Sequence, residues 1–298
     1  MKNKYLLFLA GFLLLLNIFA WKEIFDLAGS NNLKVYFLDV GQGDSFFIET
    51  PQFHQILIDG GPDSTIVKKL QDLMPPQDRS IDLVILTHPE KDHMQGLIEV
   101  LQRYKINYIL WTGVARDISE YQKWIEVLTE EQKQGAEIIT AYSGQSVKAG
   151  SASIDILYPF ENLSGKELKN SNDSSVVFRL VFGENEFLFT GDITNKTEEG
   201  FLSNSFNLQS DVLKVSHHGS KYSTSEDFLK SVNPEIAVIS VGKNSYGHPT
   251  SEVLQRLEDF GIKVLRTDKD GDIEIVSDGE NININTQFYQ IKSSAINF

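Results

Sequence analysis

The chain has 298 residues, a formal net charge of −14 and no cysteine. This length suits one α/β domain with a single large core behind a short leader segment. The lack of cysteine excludes disulfides, thiolate metal sites and a cysteine nucleophile, so any metal must be bound by His, Asp and Glu. The negative charge also disfavours binding of nucleic acid over the whole surface, because that surface would repel phosphates.

The first residues differ in character from the rest of the chain. Lys2 and Lys4 precede an almost uncharged apolar run from Tyr5 to Trp21. The run is about long enough to span a bilayer, and lysines before such a run place the N-terminus inside. We therefore expect residues 1–24 to be a transmembrane anchor, or else a cleaved signal segment, with the following domain outside the cytoplasm. Cleavage would make that domain a secreted one.

Residues 31–280 are predicted to form one domain, followed by a C-terminal tail at 281–298. Strand patterns and helical patterns alternate in both halves, which is typical of two sheets sandwiched between helical layers. The predicted strands are Leu33–Phe37, Phe46–Thr50, Gln55–Ile58, Leu83–Thr87, Ile138–Ala141, Ile154–Tyr158, Val176–Phe182, Glu186–Thr190, Val212–Ser216, Ile236–Ser240 and Val264–Arg266. The predicted helices are Thr65–Leu73, Gly96–Arg103, Glu120–Lys133, Ser225–Ser231 and Ser251–Phe260.

Four potential metal ligands lie between the strand Leu83–Thr87 and the next helix. They are His88, Glu90, Asp92 and His93. On an extended loop, residues two apart point the same way, so we expect these side chains to converge on one or two cations. The alternative is a solvated loop in which Asp92 only caps the helix.

More polar side chains follow later strands. Asp192 comes after an apolar strand and a glycine, which suits a carboxylate that bridges two cations, although it could instead cap a helix that begins near Thr197. The adjacent His217 and His218 should point apart, so one would bind metal while the other orients substrate or moves a proton. His248 precedes a helix, whose dipole would keep its ring neutral. Of the six histidines, only His54 does not follow a predicted strand, which favours one site along a sheet edge.

Six motifs follow one another along the chain: Leu38–Ser45, Leu57–Gly61, Leu86–His93, Leu188–Asp192, Leu213–Ser220 and Tyr246–Pro249. In this order they resemble the hydrolase domain of ComEC-type competence proteins, a branch of the metallo-β-lactamase superfamily. That resemblance implies a four-layer αββα sandwich, one or two divalent ions, often zinc or manganese, and hydrolysis of phosphodiesters such as DNA. By matching positions, it implies as metal ligands His88, Glu90, Asp92, His93, Asp192 and His217.

The chain departs from the superfamily pattern at the first of the two metal positions. Glu90 stands where the commoner motif has histidine, and Asn172–Ser175 stands where an isolated histidine is expected. Asp92, His93 and Asp192 keep the second position intact. A harder ion such as manganese, or a single ion, is therefore an open alternative. ComEC proteins also carry many membrane helices, whereas one is predicted here.

The expected chemistry is attack by a metal-activated water on a phosphodiester, as in a nuclease. Asp92 or a histidine would manage the proton, while His218 and His248 would stabilise developing charge or protonate the leaving group. Further residues expected to support the site or contact substrate are Asp44, Asp59, Ser175, Lys214 and Lys221. For the two lysines, an ordinary surface role is the alternative.

Two other functions stay open at this point. The same activated water could hydrolyse an ester, a lactone or a β-lactam. The altered first metal position is also compatible with a non-catalytic, membrane-tethered binding module.

Overall fold

A computed structural model describes residues 2–28 and 31–286 of the chain. It contains two compact units, Met1–Asn32 and Leu33–Phe298. The first unit holds helix α1, Lys2–Ala28, whose described large apolar side chains are exposed. Within residues 2–28 and 31–286, no helix has both the length and the apolar run needed to cross a membrane. The prediction of a transmembrane helix within 1–24 is therefore not supported by the structure.

The second unit is built on two sheets, and the first sheet has eight strands in the order β15-β14-β1-β2-β3-β4-β5-β6. Its strands β1 to β3 form an antiparallel meander, and β3 to β6 run parallel. The strands are β1 Leu33–Phe37, β2 Phe46–Glu49, β3 Gln55–Ile58, β4 Ser80–Leu86, β5 Lys105–Trp111, β6 Glu137–Thr140, β14 Ile273–Ser277 and β15 Ile282–Thr286.

The second sheet has seven strands in the order β13-β12-β11-β10-β9-β8-β7. Here β7 to β10 are antiparallel neighbours, while β10 to β13 run parallel. The strands are β7 Ser146–Ala149, β8 Ala152–Tyr158, β9 Val177–Phe182, β10 Asn185–Phe189, β11 Val212–Lys214, β12 Ile236–Ile239 and β13 Lys263–Arg266. Parallel neighbours bring their carboxyl ends to one edge, where an α/β protein typically places its ligand.

Helices cover the outer faces of both sheets. Trp124 and Leu97 are buried on the outer face of the first sheet, and Phe228 and Leu257 on that of the second. The helices are α2 Thr65–Leu73, α3 Lys91–Leu101, α4 Ser119–Gln134, α5 Asn195–Ser203, α6 Glu226–Val232, α7 Ser251–Asp259 and α8 Thr267–Asp270. The predicted arrangement of two sheets between helical layers is confirmed.

A shared core of aromatic and aliphatic side chains joins the two sheets. The ring of Phe189 in β10 stacks on Phe178 of β9 and on Phe37 of β1, with centroids 4.8 and 5.7 Å apart. These side chains alternate with outward-facing ones along each strand, so each sheet buries one face here and the other under its helices. The strand ends thus belong to two rigid sheets, each of which is covered on both faces.

The segment predicted as a C-terminal tail begins within the sheet. Strand β15 pairs with β14 in antiparallel register, with Ile273 opposite Thr286. Its alternating polar residues leave one face exposed, which concealed the strand in the sequence. Residues 287–298 of the predicted tail lie outside the described residues.

Helix α3 begins earlier than predicted, at Lys91, so Asp92 and His93 lie in its first turn and not on an extended loop. Asp92 is not the N-cap either, because that position is held by Glu90.

A close backbone contact between Gly96 and Gly60 fixes the start of α3 against the end of β3. A Cβ added to Gly96 would lie 1.9 Å from the carbonyl oxygen of Gly60. Only glycine permits this contact.

Candidate metal centre

Histidine and aspartate side chains from three strand ends meet in the second unit. His88 follows β4, His93 lies at the start of α3, Asp192 follows β10, and His218 follows β11. Within each of four groups, the potential ligand atoms lie no more than 4.8 Å apart. The groups are His88 with His93 and Asp192; Asp92 with His93 and His218; Asp44 with Asp192 and His218; and Asp44 with Asp59 and His93.

His93 is oriented by the carboxylate of Asp59. Its Nδ1 lies 2.8 Å from Asp59 Oδ2, and the same carboxylate accepts hydrogen bonds from the backbone and the hydroxyl of Thr87. The other ring nitrogen, Nε2, is buried and forms no hydrogen bond with any described residue. A histidine held from behind in this way presents Nε2 to a metal, which is the supporting role expected of Asp59.

His218, and not its neighbour His217, is the histidine that enters the ligand cluster. Its Nδ1 lies 2.8 Å from the carbonyl oxygen of Ser240, and its Nε2 lies 3.4 Å from Oδ2 of Asp92 and of Asp192. His217 Nε2 instead lies 3.3 Å from Nδ2 of Asn172.

The backbone conformation explains why His218, and not His217, enters the ligand cluster. Both residues adopt left-handed conformations, with φ of 51° and 53°, which turn the chain sharply after β11. This geometry reverses the predicted roles, because His217 was expected to be the ligand and His218 the group acting on substrate. The sequence did not indicate that His217 and His218 have positive φ angles.

His88 supplies a third buried imidazole. Its Nδ1 lies 3.0 Å from the hydroxyl of Thr87, while Nε2 has no partner among the described residues. Burial, followed by the charge of His93, lowers the pKa of His88 to about 3, so the ring is neutral at pH 7. A neutral imidazole with an unused nitrogen is a suitable metal ligand.

Asp192 is held by groups behind the cluster. Its backbone N–H donates to Ser175 Oγ at 2.9 Å, and its Oδ1 lies 3.2 Å from Nζ of Lys214. Lys214 also donates to the Gly191 carbonyl at 2.6 Å and forms a short ion pair with Asp44. The prediction that Lys214 contacts phosphate or lies on the surface is wrong, because its side chain is fully buried beneath the cluster.

The charged groups of the cluster indicate a binding site for a cation. Histidine and lysine neighbours outweigh burial and hold the pKa of Asp192 well below its usual range. Although burial alone would lower the pKa of His218, the carboxylates of Asp192 and Asp44 raise it to about 10. In the metal-free protein, His93 and His218 thus hold protons against carboxylates. A divalent ion at their Nε2 atoms would replace those protons, so the donor set fits a metal.

Glu90 does not join the ligand groups formed by the described residues. Its Oε1 lies 2.9 Å from Nη2 of Arg116, and it also accepts a short hydrogen bond from Ser171. The expectation that Glu90 is a ligand is therefore not met by this geometry.

The cluster opens into a cavity of about 270 Å³. None of the described residues that line this cavity is Lys or Arg. Lys221 is exposed, with its Nζ 5.2 Å from the ring of Tyr222, and it is not among the residues that line the cavity. The lining residues are Gln42, His88, Glu90, Asp92, Asn170, Asn172, Asp192, His217, His218, Tyr246 and His248.

His248 lies in this cavity, with its ring centroid 5.3 Å from that of His217. Burial, with added effects of His217 and His218, lowers its pKa to about 4. The ring is neutral as expected, but the cause differs from the one predicted, because α7 begins only at Ser251.

A single asparagine side chain organises the loop that carries His248. Asn244 Nδ2 donates to the carbonyl oxygens of Gly242 and His248, while its Oδ1 accepts from the N–H groups of Tyr246 and His248. The loop therefore presents Tyr246, which is 73% exposed, at the edge of the cavity in a fixed position.

A family comparison agrees with this arrangement. Residues 38–243 match the model of the metallo-beta-lactamase superfamily. The chain belongs to this superfamily. Members bind divalent metal ions in general, and the His and Asp cluster of this chain lies within the matched residues.

Curated relatives of this superfamily chain are ComEC-type competence proteins, as the motifs suggested. ComE operon protein 3 of Bacillus subtilis is 31% identical over 82% of this chain and 33% of its own length. Competence protein ComA of Neisseria gonorrhoeae is 32% identical over 82% of this chain and 32% of its own length. The chain thus spans about a third of the length of these relatives.

Solved structures share the metallo-β-lactamase fold. YhfI of Bacillus subtilis superposes with a TM-score of 0.55 at 14% identity, covering 83% of this chain and all of that one. The diiron β-hydroxylase CmlA of Streptomyces venezuelae gives 0.54 at 15% identity, covering 82% of this chain and 54% of CmlA. At such low identity, these likenesses show the fold alone.

Sequence reasoning missed several residues around the site. Thr87 was taken only as the end of a strand, and Asn170 and Ser171 lie in a segment without a recognisable pattern. Arg116 lies in the loop after β5, a strand that was itself not predicted. Thr87 and Tyr246 did carry a signal, because they lie in the quoted motifs Leu86–His93 and Tyr246–Pro249.

Proposed function

We propose that this chain is a metal-dependent phosphodiesterase that acts on nucleic acid. The observation that carries the proposal is the convergence of three buried histidine Nε2 atoms, those of His88, His93 and His218, beside Asp92 and Asp192 in an open cavity. Buried nitrogens without partners are costly unless a ligand satisfies them.

The residues that would hold the ion are Asp92, His93, Asp192 and His218. Nitrogen and carboxylate donors of this kind suit zinc or manganese. When bound, such an ion lowers the pKa of water and polarises a phosphoryl oxygen.

The chain's own residues would direct the reaction. Water forms a bond to phosphorus, one phosphorus–oxygen ester bond breaks, and the products are a phosphomonoester and an alcohol. Asp92, which lines the cavity and is partly exposed, is placed to take the proton released by water and to return it to the departing oxygen, which leaves as an alcohol. His217 and His248 line the same cavity and would donate a hydrogen bond to the departing oxygen.

Support for a nucleic-acid substrate comes from the edge of the cavity and from the relatives. The exposed ring of Tyr246 offers a flat face on which a base can stack. The curated relatives are named as competence proteins, and another, from Haemophilus influenzae, is named recombination protein 2. Because the chain is strongly acidic, contact with a strand would be confined to this region.

A substrate panel tests the proposal on the full chain. Single-stranded DNA, double-stranded DNA, RNA, cyclic dinucleotides, a phenyl ester, a lactone and a β-lactam are each incubated with zinc and with manganese. We expect cleavage of one of the phosphodiesters. Cleavage of only the ester, the lactone or the β-lactam would replace the proposed substrate class.

Metal content separates an enzyme from a binding module. The chain, purified without added metal and then dialysed against manganese or zinc, is analysed by elemental mass spectrometry. We expect at least one ion per chain. Far less than one ion, together with no hydrolysis, would favour a non-catalytic binding protein.

We further propose that α1 attaches the chain to a membrane and that the catalytic unit lies outside the cytoplasm. The support is the apolar run from Tyr5 to Trp21, in which Phe8, Leu15 and Phe19 are exposed. Flotation with phospholipid vesicles tests attachment, with Leu15→Lys and Phe19→Lys together as the matched variant. Protease treatment of intact cells tests the side, since protection of the catalytic unit would contradict this localisation.

A further inference from the structure

The Glu90–Arg116 ion pair lies beside the ligand cluster and is not used by the mechanism above. Nη2 of Arg116 lies 2.9 Å from Glu90 Oε1, and the arginine side chain is 23% exposed. Ser171 donates a further hydrogen bond to the same carboxylate oxygen. Glu90 lines the cavity, so its ion pair holds the Arg116 guanidinium next to a lining residue, although Arg116 is not itself one of them.

The pair stands on the side of the cluster where ligands are scarce. In the described groups, His88 is accompanied by His93 and Asp192, of which His93 also belongs to the Asp92 and His218 group. Ser175, in the segment where the superfamily pattern has a histidine, uses its hydroxyl to hold Asp192. An ion on the His88 side would therefore share both His93 and Asp192 with other groups, and His88 would be the one ligand of its own.

The loop that carries Arg116 is tied in place. The Ala115 N–H donates to the Lys166 carbonyl at 2.9 Å, and the Gly165 N–H donates to the Gly113 carbonyl at 2.8 Å. These bonds hold the loop against a second loop, so the arginine is fixed at its base. Glu90 is the only partner of Arg116 among residues 2–28 and 31–286, which leaves the other N–H groups of the guanidinium available.

We propose that the chain binds a single divalent ion, through Asp92, His93, Asp192 and His218, and that Arg116 supplies the positive charge that a second ion would give. The guanidinium would donate hydrogen bonds to a non-bridging oxygen of the phosphodiester. Arginine suits this task because it is always charged and its planar N–H groups match phosphate oxygens. This inference rests on the proposed phosphodiesterase function.

The number of ions tests the first half of the inference without any activity measurement. The full chain is equilibrated with excess manganese, freed of unbound ion by gel filtration, and analysed by elemental mass spectrometry and electron paramagnetic resonance. We expect one manganese per chain and the six-line signal of an isolated ion. Two ions per chain with an exchange-coupled signal would overturn the inference and leave the proposed function intact. No bound metal would instead remove the proposed function.

Three measurements of the rate of phosphodiester cleavage test whether the positive charge of Arg116 contributes to catalysis. Arg116→Ala should lower kcat about 100-fold with metal content unchanged, as expected when a donor to a developing charge is lost. Arg116→Lys should restore part of the rate, since it restores the charge. Guanidinium ion at millimolar concentration should restore part of the rate of Arg116→Ala.

The matched control is Arg103→Ala, which removes another arginine from an ion pair, with Glu99 on the surface of α3. Its kcat should stay within about twofold of the unchanged chain, because surface pairs contribute little. Circular dichroism establishes that Arg116→Ala is folded. A folded Arg116→Ala protein with unchanged kcat, or one that neither lysine nor guanidinium rescues, would overturn the role given to Arg116.

Discussion

At the scale of single residues, the site combines mostly buried ligand atoms with further buried groups that orient them. Asp59 and Ser240 each engage one ring nitrogen of a histidine, and Ser175 and Lys214 fix Asp192. The sequence predicted most of these residues as members of the site. It could not predict their roles, because the direction of a side chain depends on backbone angles such as the positive φ of His217 and His218.

Asp192→Ala should abolish both metal retention and hydrolysis. Asp192 Oδ2 lies 3.4 Å from Nε2 of both His93 and His218, so its removal deletes the carboxylate that both rings share. Metal content after gel filtration and the cleavage rate are the measurements. Asp227→Ala on the exposed start of α6 is the control and should keep both. A fully active Asp192→Ala protein would show that the site is wrongly placed.

Asp59→Asn should weaken metal binding about 10- to 100-fold, as other losses of a carboxylate behind a metal-binding histidine do. The amide nitrogen cannot accept the His93 Nδ1–H that the carboxylate accepts, so the ring loses its preferred tautomer and orientation. Isothermal titration with manganese measures the change. An unchanged dissociation constant would mean that other contacts orient His93.

At the scale of elements, regular burial patterns were predictable from sequence and irregular ones were not. The bounds of β1, β3 and α2 agree with the predictions, because their apolar spacing matches an alternating strand, a fully buried strand and a helix with one buried face. Strand β5 was missed, since its exposed first half hides the buried end. Helix α3 was started too late, because its first turn carries ligands where an apolar pattern was sought.

Gly96→Ala should destabilise the fold, although alanine has the higher helix propensity by about 1 kcal/mol. The new methyl group would lie 1.9 Å from the Gly60 carbonyl, so α3 must move away from the end of β3. That shift would also displace Asp92 and His93. Thermal unfolding and manganese titration should both show losses, whereas Glu99→Ala on the same helix should change neither greatly. A gain in melting temperature would show that the contact is not tight in solution.

At the scale of the whole molecule, the acidic chain concentrates its buried charges at one edge of the sandwich. Asp44, Asp92 and Asp192 face His93, His218 and Lys214 there, while the core between the sheets is apolar. Family motifs predicted the edge and the fold. The contact between Glu90 and Arg116 could not be predicted, because it depends on loops with no recognisable pattern in the sequence.

The free energy of unfolding of the metal-free protein should therefore decrease as pH rises from neutral to alkaline values. The carboxylates of Asp192 and Asp44 raise the pKa of His218 to about 10, and Asp192 and Asp59 raise that of His93 as well. An unfolded histidine has a pKa of about 6.5, so the stabilising protonation is complete below that pH and is lost as pH rises toward 10. The pKa of Asp192 is lowered, so the stabilisation that its ionised carboxylate contributes to the fold is lost only as pH falls below about 4.

Thermal unfolding with a chelator should accordingly show a melting temperature that falls between pH 6.5 and 9. With saturating manganese the trend should weaken or reverse, because the ion takes the place of protons on the two histidines and binds better as pH rises. The difference between the two melting curves should grow with pH. His54→Gln, in a turn away from the cluster, is the control and should leave both profiles unchanged. A metal-free melting temperature that rises from pH 6.5 to 9 would mean that these histidines are neutral in the folded chain.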